Sequence, residues 1–197
     1  MCMQKSPLPN IGFGDANASF RVYLATPPPM PAYQQLSCIT PLRAGDIEQI
    51  YRECGNGWRK IFNVYAKLLF SLPLVPFEFQ GKAANWQQFR DTRLLQEQGN
   101  CALCFDAPKL DGTGFHLIAG RTHAKQLIAE GLQAQLHWLN TEFAVDPTHR
   151  LLVTPFFDYR QLNNEKIAIT AKLLKLITQN ITEIAPYANA LGTKSLG

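Results

Sequence analysis

Asp106, Arg121, His123, Asp158 and Arg160 are the polar residues whose types and positions best suit chemistry in this chain. A carboxylate such as Asp106 or Asp158 orients a water or a sugar hydroxyl, and the arginines or the histidine hold a leaving or hydrogen-bonding group. Phe156 and Tyr159 flank Asp158 and Arg160. Aromatic rings beside hydrogen-bonding groups suit a flat heterocycle or a sugar. The same residues equally suit the packing of a filled loop.

Metal, redox and nucleotide-loop chemistry find less support. The four histidines, His116, His123, His137 and His149, show neither H-x-x-x-H nor H-E-x-x-H spacing. Cys101 and Cys104 match C-x-x-C, but residues three apart on a strand point to opposite faces, and no second pair completes a zinc site. No metal and no cofactor are therefore expected, and the two thiols read as small buried side chains. His116 lies inside an apolar run and reads as a core histidine. Gly12-Phe13-Gly14 and Gly112-Thr113-Gly114 are too short for a nucleotide loop, and no Gly-x-Ser-x-Gly elbow occurs.

The elements that must position these groups centre on residues 114–131. Phe115, Leu117, Ile118 and Ala119 form a run too apolar for a half-wet strand, so both of its faces should be covered. Gly120 permits a sharp turn, Thr122 is the expected N-cap of a helix carrying Ala124, Leu127 and Ile128, and Gly131 is its stop. A buried strand feeding a helix is half of a parallel α/β unit. Further strands are expected at residues 20–25, 100–105, 132–138 and 150–154. Helices are expected at 46–54, at 58–72 with an aromatic stripe from Trp58 to Leu72, at 85–98, and from Asn163 or Asn164 to just before Pro186. The predicted fold is a single domain over residues 1–197, with an irregular arm at 1–19. Its class is α/β, three layers (α/β/α) around a mostly parallel sheet. If the strands ending at Ala25, Phe105, Ala119 and Thr154 are parallel, the loops after them meet at one edge of the sheet, where open α/β sheets bind ligands.

The composition sets the remaining bounds. The 197 residues carry 19 Lys+Arg against 15 Asp+Glu, for a net charge of +4, and 46% are hydrophobic. That describes a soluble globule whose scattered basic residues allow at most weak, salt-sensitive nucleic-acid binding. No apolar stretch is long enough to span a membrane, and the N-terminus lacks the apolar core of a signal peptide. Five cysteines, an odd number, fit a reducing cytoplasm better than a disulfide framework.

The order of segments resembles the uracil-DNA glycosylase superfamily over roughly residues 95–180. Gln98-Gly99-Asn100-Cys101-Ala102-Leu103 is similar to the family's strand entered by a Gln-Gly turn. Phe115 to Lys125, with Gly120 followed by Ala124, is similar to its next strand and helix. Leu151-Leu152-Val153-Thr154-Pro155-Phe156 falls where a strand ends in the family's His-Pro-Ser loop. A looser match joins the strand and loop at 22–31 to the family's first motif. The resemblance implies the α/β fold and a nucleobase-containing ligand. The water-activating loop of the family, Gly-Gln-Asp-Pro-Tyr in its best-known form, is met by Ala25-Thr26-Pro27-Pro28-Pro29, and its histidine by Thr154. Glycosidic hydrolysis is not expected from those positions. The expected functions are thus binding of a nucleobase-containing ligand by a degenerate glycosylase-like domain or, alternatively, a non-catalytic interaction or assembly role with a filled-in site. Candidate site residues are Asp106 and Asp158 as acids, with Arg121, His123, Phe156, Tyr159 and Arg160 for the ligand.

Overall fold

Four short apolar strands, each alternating its side chains between two faces, build the centre of the molecule. In the computed structural model, which describes residues 10–110, 112 and 114–192, they are β2 (Phe20–Tyr23), β4 (Cys101–Cys104), β5 (Phe115–Ala119) and β8 (Leu151–Thr154). They lie side by side in the order β4-β2-β5-β8, every pair parallel, with Phe20 opposite both Cys101 and Phe115 and His116 opposite Leu151. The expected parallel sheet is therefore present. It is extended on both sides into eight strands in the order β3-β1-β4-β2-β5-β8-β7-β6, where β1 is Gly12–Gly14, β3 Ile39–Thr40, β6 His137–Trp138 and β7 Ala144–Asp146. β1 runs antiparallel to β4, and β7 antiparallel to both β8 and β6.

The two faces are covered unequally. Phe20, Val22, Cys101, Leu103, Phe115, Leu117, Ala119 and Leu152 face a large core built with the helices α1 (Asp46–Cys54), α2 (Asn56–Ser71), α3 (Leu74–Phe77), α4 (Trp86–Thr92), α6 (Asn164–Thr178) and α7 (Ile184–Ala190). Trp58, Ile61, Phe62, Tyr65, Leu68 and Leu69 form the buried stripe of α2, as their helical spacing predicts. The Tyr65 hydroxyl, fully buried, donates to the carbonyl of Ala102 at 2.9 Å and ties α2 to β4. The opposite face carries Tyr23, Ala102, Cys104, Ile118, Leu151 and Val153 beneath a single helix, α5 (Arg121–Ala129), with Leu110, Leu132, Ala134 and Leu136 filling the remainder. Cys101 and Cys104 thus sit in different cores, and burial pushes both thiols up to about 12.

Several boundaries differ from the sequence expectation. The arm expected to be irregular includes β1, and residues 1–9 lie outside the described residues. Backbone approach explains β1: a Cβ at Gly12 would collide with the Leu103 carbonyl, and one at Gly14 with that of Cys101. The helix opened by Asn85 is capped as expected, with Asn85 Oδ1 accepting from Gln88 N at 2.8 Å, but it ends at Thr92 rather than Gln98. Leu94 and Leu95 are adjacent and both fully buried, which the left-handed turn at Leu95 (φ 58°) achieves and a continuing helix would not. Residues 132–136 pack as irregular chain, so only His137 and Trp138 pair as strand. The last helix breaks at Asn180 (φ 54°), and Pro186 falls in the first turn of α7, where its missing N–H costs nothing. Among the described residues no helix is long and apolar enough to cross a membrane.

Ile177 is 1% exposed on the buried stripe of α6. Ile177→Ala should cost about 2–5 kcal/mol in a urea unfolding experiment, and a loss below about 1 kcal/mol would place that side chain outside the core.

Candidate functional site

The parallel strands end together at one edge, and there β5 turns directly into α5. Gly120, at φ 104°, makes the turn, and its N–H donates to the Thr154 carbonyl at 2.8 Å. Gly120 rather than the expected Thr122 is therefore the N-cap, because the chain reverses as soon as it leaves the sheet. Among the described residues no side chain caps this end. The first backbone N–H groups of α5 consequently carry the partial positive charge of a helix start.

Beside this turn lies a cleft of about 400 Å³. Ala25, Ala119 and Pro155 supply apolar wall from the ends of β2, β5 and β8. Gly120, Arg121, Thr122, His123 and Gln126 come from α5, Thr141 and Glu142 from the turn between β6 and β7, and Phe156 and Gln161 from the segment after β8. Phe156 packs over Gly120 and remains 36% exposed.

Of the expected site residues, Arg121, His123 and Phe156 line this cleft together. Arg121 stacks its guanidinium 5.5 Å from the Trp138 ring centre and donates from Nη1 to the Thr141 carbonyl at 3.3 Å. Among the described residues neither His123 Nδ1 nor Nε2 has a hydrogen-bond partner, although both atoms are shielded from solvent. Burial pulls the His123 pKa below the ordinary 6.5, with Glu130 opposing more weakly. The ring is then neutral at pH 7, with one nitrogen a donor and the other an acceptor.

The remaining four lie outside the cleft lining. Asp106 accepts two hydrogen bonds of 3.0 Å from Asn10 Nδ2. Asp158 pairs with Lys60 at 2.8 Å and accepts from the Arg160 backbone N–H at 2.9 Å. The Lys60 hydrogen bond, then that N–H, hold its carboxyl below the usual carboxylate range. Tyr159 is 53% exposed, with Lys60 Nζ 5.1 Å and Arg160 Cζ 5.9 Å from its ring centre. Both acids expected to do chemistry are thus bound to neighbours and lie outside the cleft lining. Thr154, at the position matched to the glycosylase histidine, is buried and donates its hydroxyl to the Pro155 carbonyl at 2.9 Å.

Sequence reasoning missed the carboxylate that does line the cleft. Glu142 Oε1 accepts from Lys166 Nζ of α6 at 2.6 Å, and its backbone N–H donates to Asn140 Oδ1 at 2.8 Å. The signal available in the sequence was the short-range turn chemistry of Asn140, whose side chain accepts from two successive backbone N–H groups, those of Glu142 and Phe143. No metal-binding group of three or more His, Cys, Asp or Glu occurs among the described residues.

The environment of His123 makes a measurable statement. Its folded-state pKa lies below the unfolded value, so the unfolded chain binds a proton more readily, and this residue's contribution to stability falls as pH drops through and below 6.5. NMR titration of the His123 ring should give a midpoint below 6.5, and His123→Asn should flatten that part of the pH–stability curve. A midpoint at or above 6.5 would contradict the burial described here.

No curated protein and no solved structure matches the chain. The model of one protein family does, and it spans residues 11–175, from β1 to α6. The chain belongs to that family, DUF6942, a family of unknown function.

Proposed function

We propose that this protein binds a small nucleobase-containing ligand in the cleft at the carboxyl edge of its parallel strands, and does not hydrolyse it. The observation that carries the reading is the wall of the cleft: the exposed ring of Phe156 stands with Gln126, Gln161 and His123, whose imidazole nitrogens have no hydrogen-bond partner among the described residues. Buried polar atoms nearly always find partners, so a ligand with a donor or an acceptor suits one nitrogen of the His123 ring. The edge of a nucleobase offers both. Its flat face matches Phe156, and the amides of Gln126 and Gln161 add further donors and acceptors at the wall. A volume of about 400 Å³ falls within the range of small-molecule sites. The resemblance to uracil-DNA glycosylases implies the same ligand class.

N-glycosidic cleavage needs a positioned water and a group to stabilise the departing base. Asp106 and Asp158 are engaged by Asn10 and Lys60 outside the cleft, and the Thr154 hydroxyl is committed to a carbonyl. A second reading, a non-catalytic interaction or assembly protein, draws on the exposure of Trp138, Phe156 and Tyr159. In that case sedimentation would detect self-association or a partner, and Phe156→Ala would weaken it.

Titration of the protein with nucleosides, followed by NMR, tests the main reading. Signals of His123 and of residues 120–126 should shift, and Phe156→Ala should weaken binding by roughly 1–3 kcal/mol, the range for loss of a base–aromatic stack. Incubation with uracil-containing single- or double-stranded oligonucleotide should leave no alkali-labile sites. Uracil release that depends on the protein would overturn the non-hydrolytic part, and nucleoside shifts confined to other surfaces would overturn the site.

A further inference from the structure

Resting on that reading of the cleft, we infer that Glu142 recognises the sugar hydroxyls of the ligand, so that the cleft takes a free ribonucleoside or ribonucleotide rather than a nucleotide inside a nucleic-acid chain. Three features carry this. Among the described residues Glu142 is the carboxylate that lines the cleft, and a carboxylate only accepts hydrogen bonds. Its partner must therefore offer donors, and the vicinal hydroxyls of a ribose offer two side by side.

The group is also held in place before any ligand arrives. Asn140 Oδ1 fixes the backbone by accepting from the N–H groups of Glu142 and Phe143, each at 2.8 Å. Lys166, set in the first turn of α6 by the Asn163 cap, grips Oε1 at 2.6 Å. Oε2 makes no hydrogen bond among the described residues. Arg121 secures the same turn from the other side, through the Thr141 carbonyl and the Trp138 ring. A receptor group whose position is already determined loses little freedom on binding.

Exposure separates the sugar from the base. The Glu142 side chain is 38% exposed, whereas the nitrogens of His123 are shielded from solvent. A base turned toward His123 leaves its sugar beside Glu142. In a polynucleotide the 3′ oxygen of every internal residue is esterified, which removes one of the two donors and brings a phosphate's negative charge against the carboxylate.

The test compares wild-type protein and Glu142→Gln in calorimetric and NMR titrations with adenosine, guanosine, cytidine and uridine, their 2′,3′-dideoxy counterparts and the free bases. Unchanged thermal unfolding of Glu142→Gln, a conservative change at a part-exposed site, controls for folding. The expected result is that at least one ribonucleoside binds wild type ten-fold or more tighter than its dideoxy form, and that Glu142→Gln removes most of that difference. Lys166→Met, which leaves the carboxylate in place but unheld, should remove part of it. Equal binding of the ribo and dideoxy forms to wild type overturns the inference while leaving base binding intact. A preference that survives in Glu142→Gln assigns the sugar contact elsewhere and overturns it too. Failure of every nucleoside and base to bind overturns the reading of the cleft, and this inference with it.

Discussion

β5 is buried along its whole length and lies between β2 and β8, so each of its five side chains must be covered on one face or the other. On one side the cover is generous, since α2 and α6 pack there with their broad apolar stripes. On the other, α5 is the one helix among the described residues beneath the parallel strands, helped by extended chain around Leu110 and Leu132–Leu136. α5 must begin at once after β5 to lie over the sheet. That requirement produces the turn at Gly120 and leaves an uncapped helix start at the carboxyl edge. The cleft follows from how this face of the sheet is covered, and Arg121 and His123 line it because they occupy the first turn of that helix.

The antiparallel extension completes the site. β7 pairs with β8 and β6 with β7, which carries the intervening turn back to the starts of α5 and α6. Two cations then hold it there, Arg121 through Trp138 and Thr141, and Lys166 through Glu142. Each contact is modest, as surface ion pairs and cation–π contacts are. Their combined effect is positional: residues from three separate stretches of chain share one wall. The buried base of the extension has its own polar anchor, since Asp146, 1% exposed, accepts from Gln135 N, His149 N and His149 Nδ1.

The parallel core was legible because its strands are apolar runs bounded by turn residues, and local pattern reports burial directly. The same holds for α2 and for the Asn85 and Asn163 caps, whose side chains make the hydrogen bonds that their spacing implies. β1 was not legible, since Gly12 and Gly14 contribute no side-chain pattern and their role is to let another backbone come close. Nor was the break before α7, because Ile181 and Ile184 stay on the apolar face after the helix has ended. For the site, reading outward from strand ends found Arg121, His123 and Phe156, whose positions relative to β5 and β8 are short-range. Glu142 escaped because only the pairing of β6, β7 and β8 brings it there. Asp106 and Asp158 follow strands as expected, yet they are bound by Asn10 and Lys60, 96 and 98 positions away in the chain.

Among the described residues the two outermost strands of the sheet, β3 and β6, are each two residues long. An exposed strand edge is a template on which another chain can add, and the hazard grows with its length and flatness. Here neither border presents more than a short run of pairing groups, and the guanidinium of Arg121 lies against the ring of Trp138 in β6. Short border strands of this kind give another chain little to pair with, the same end that a barrel reaches by closing on itself.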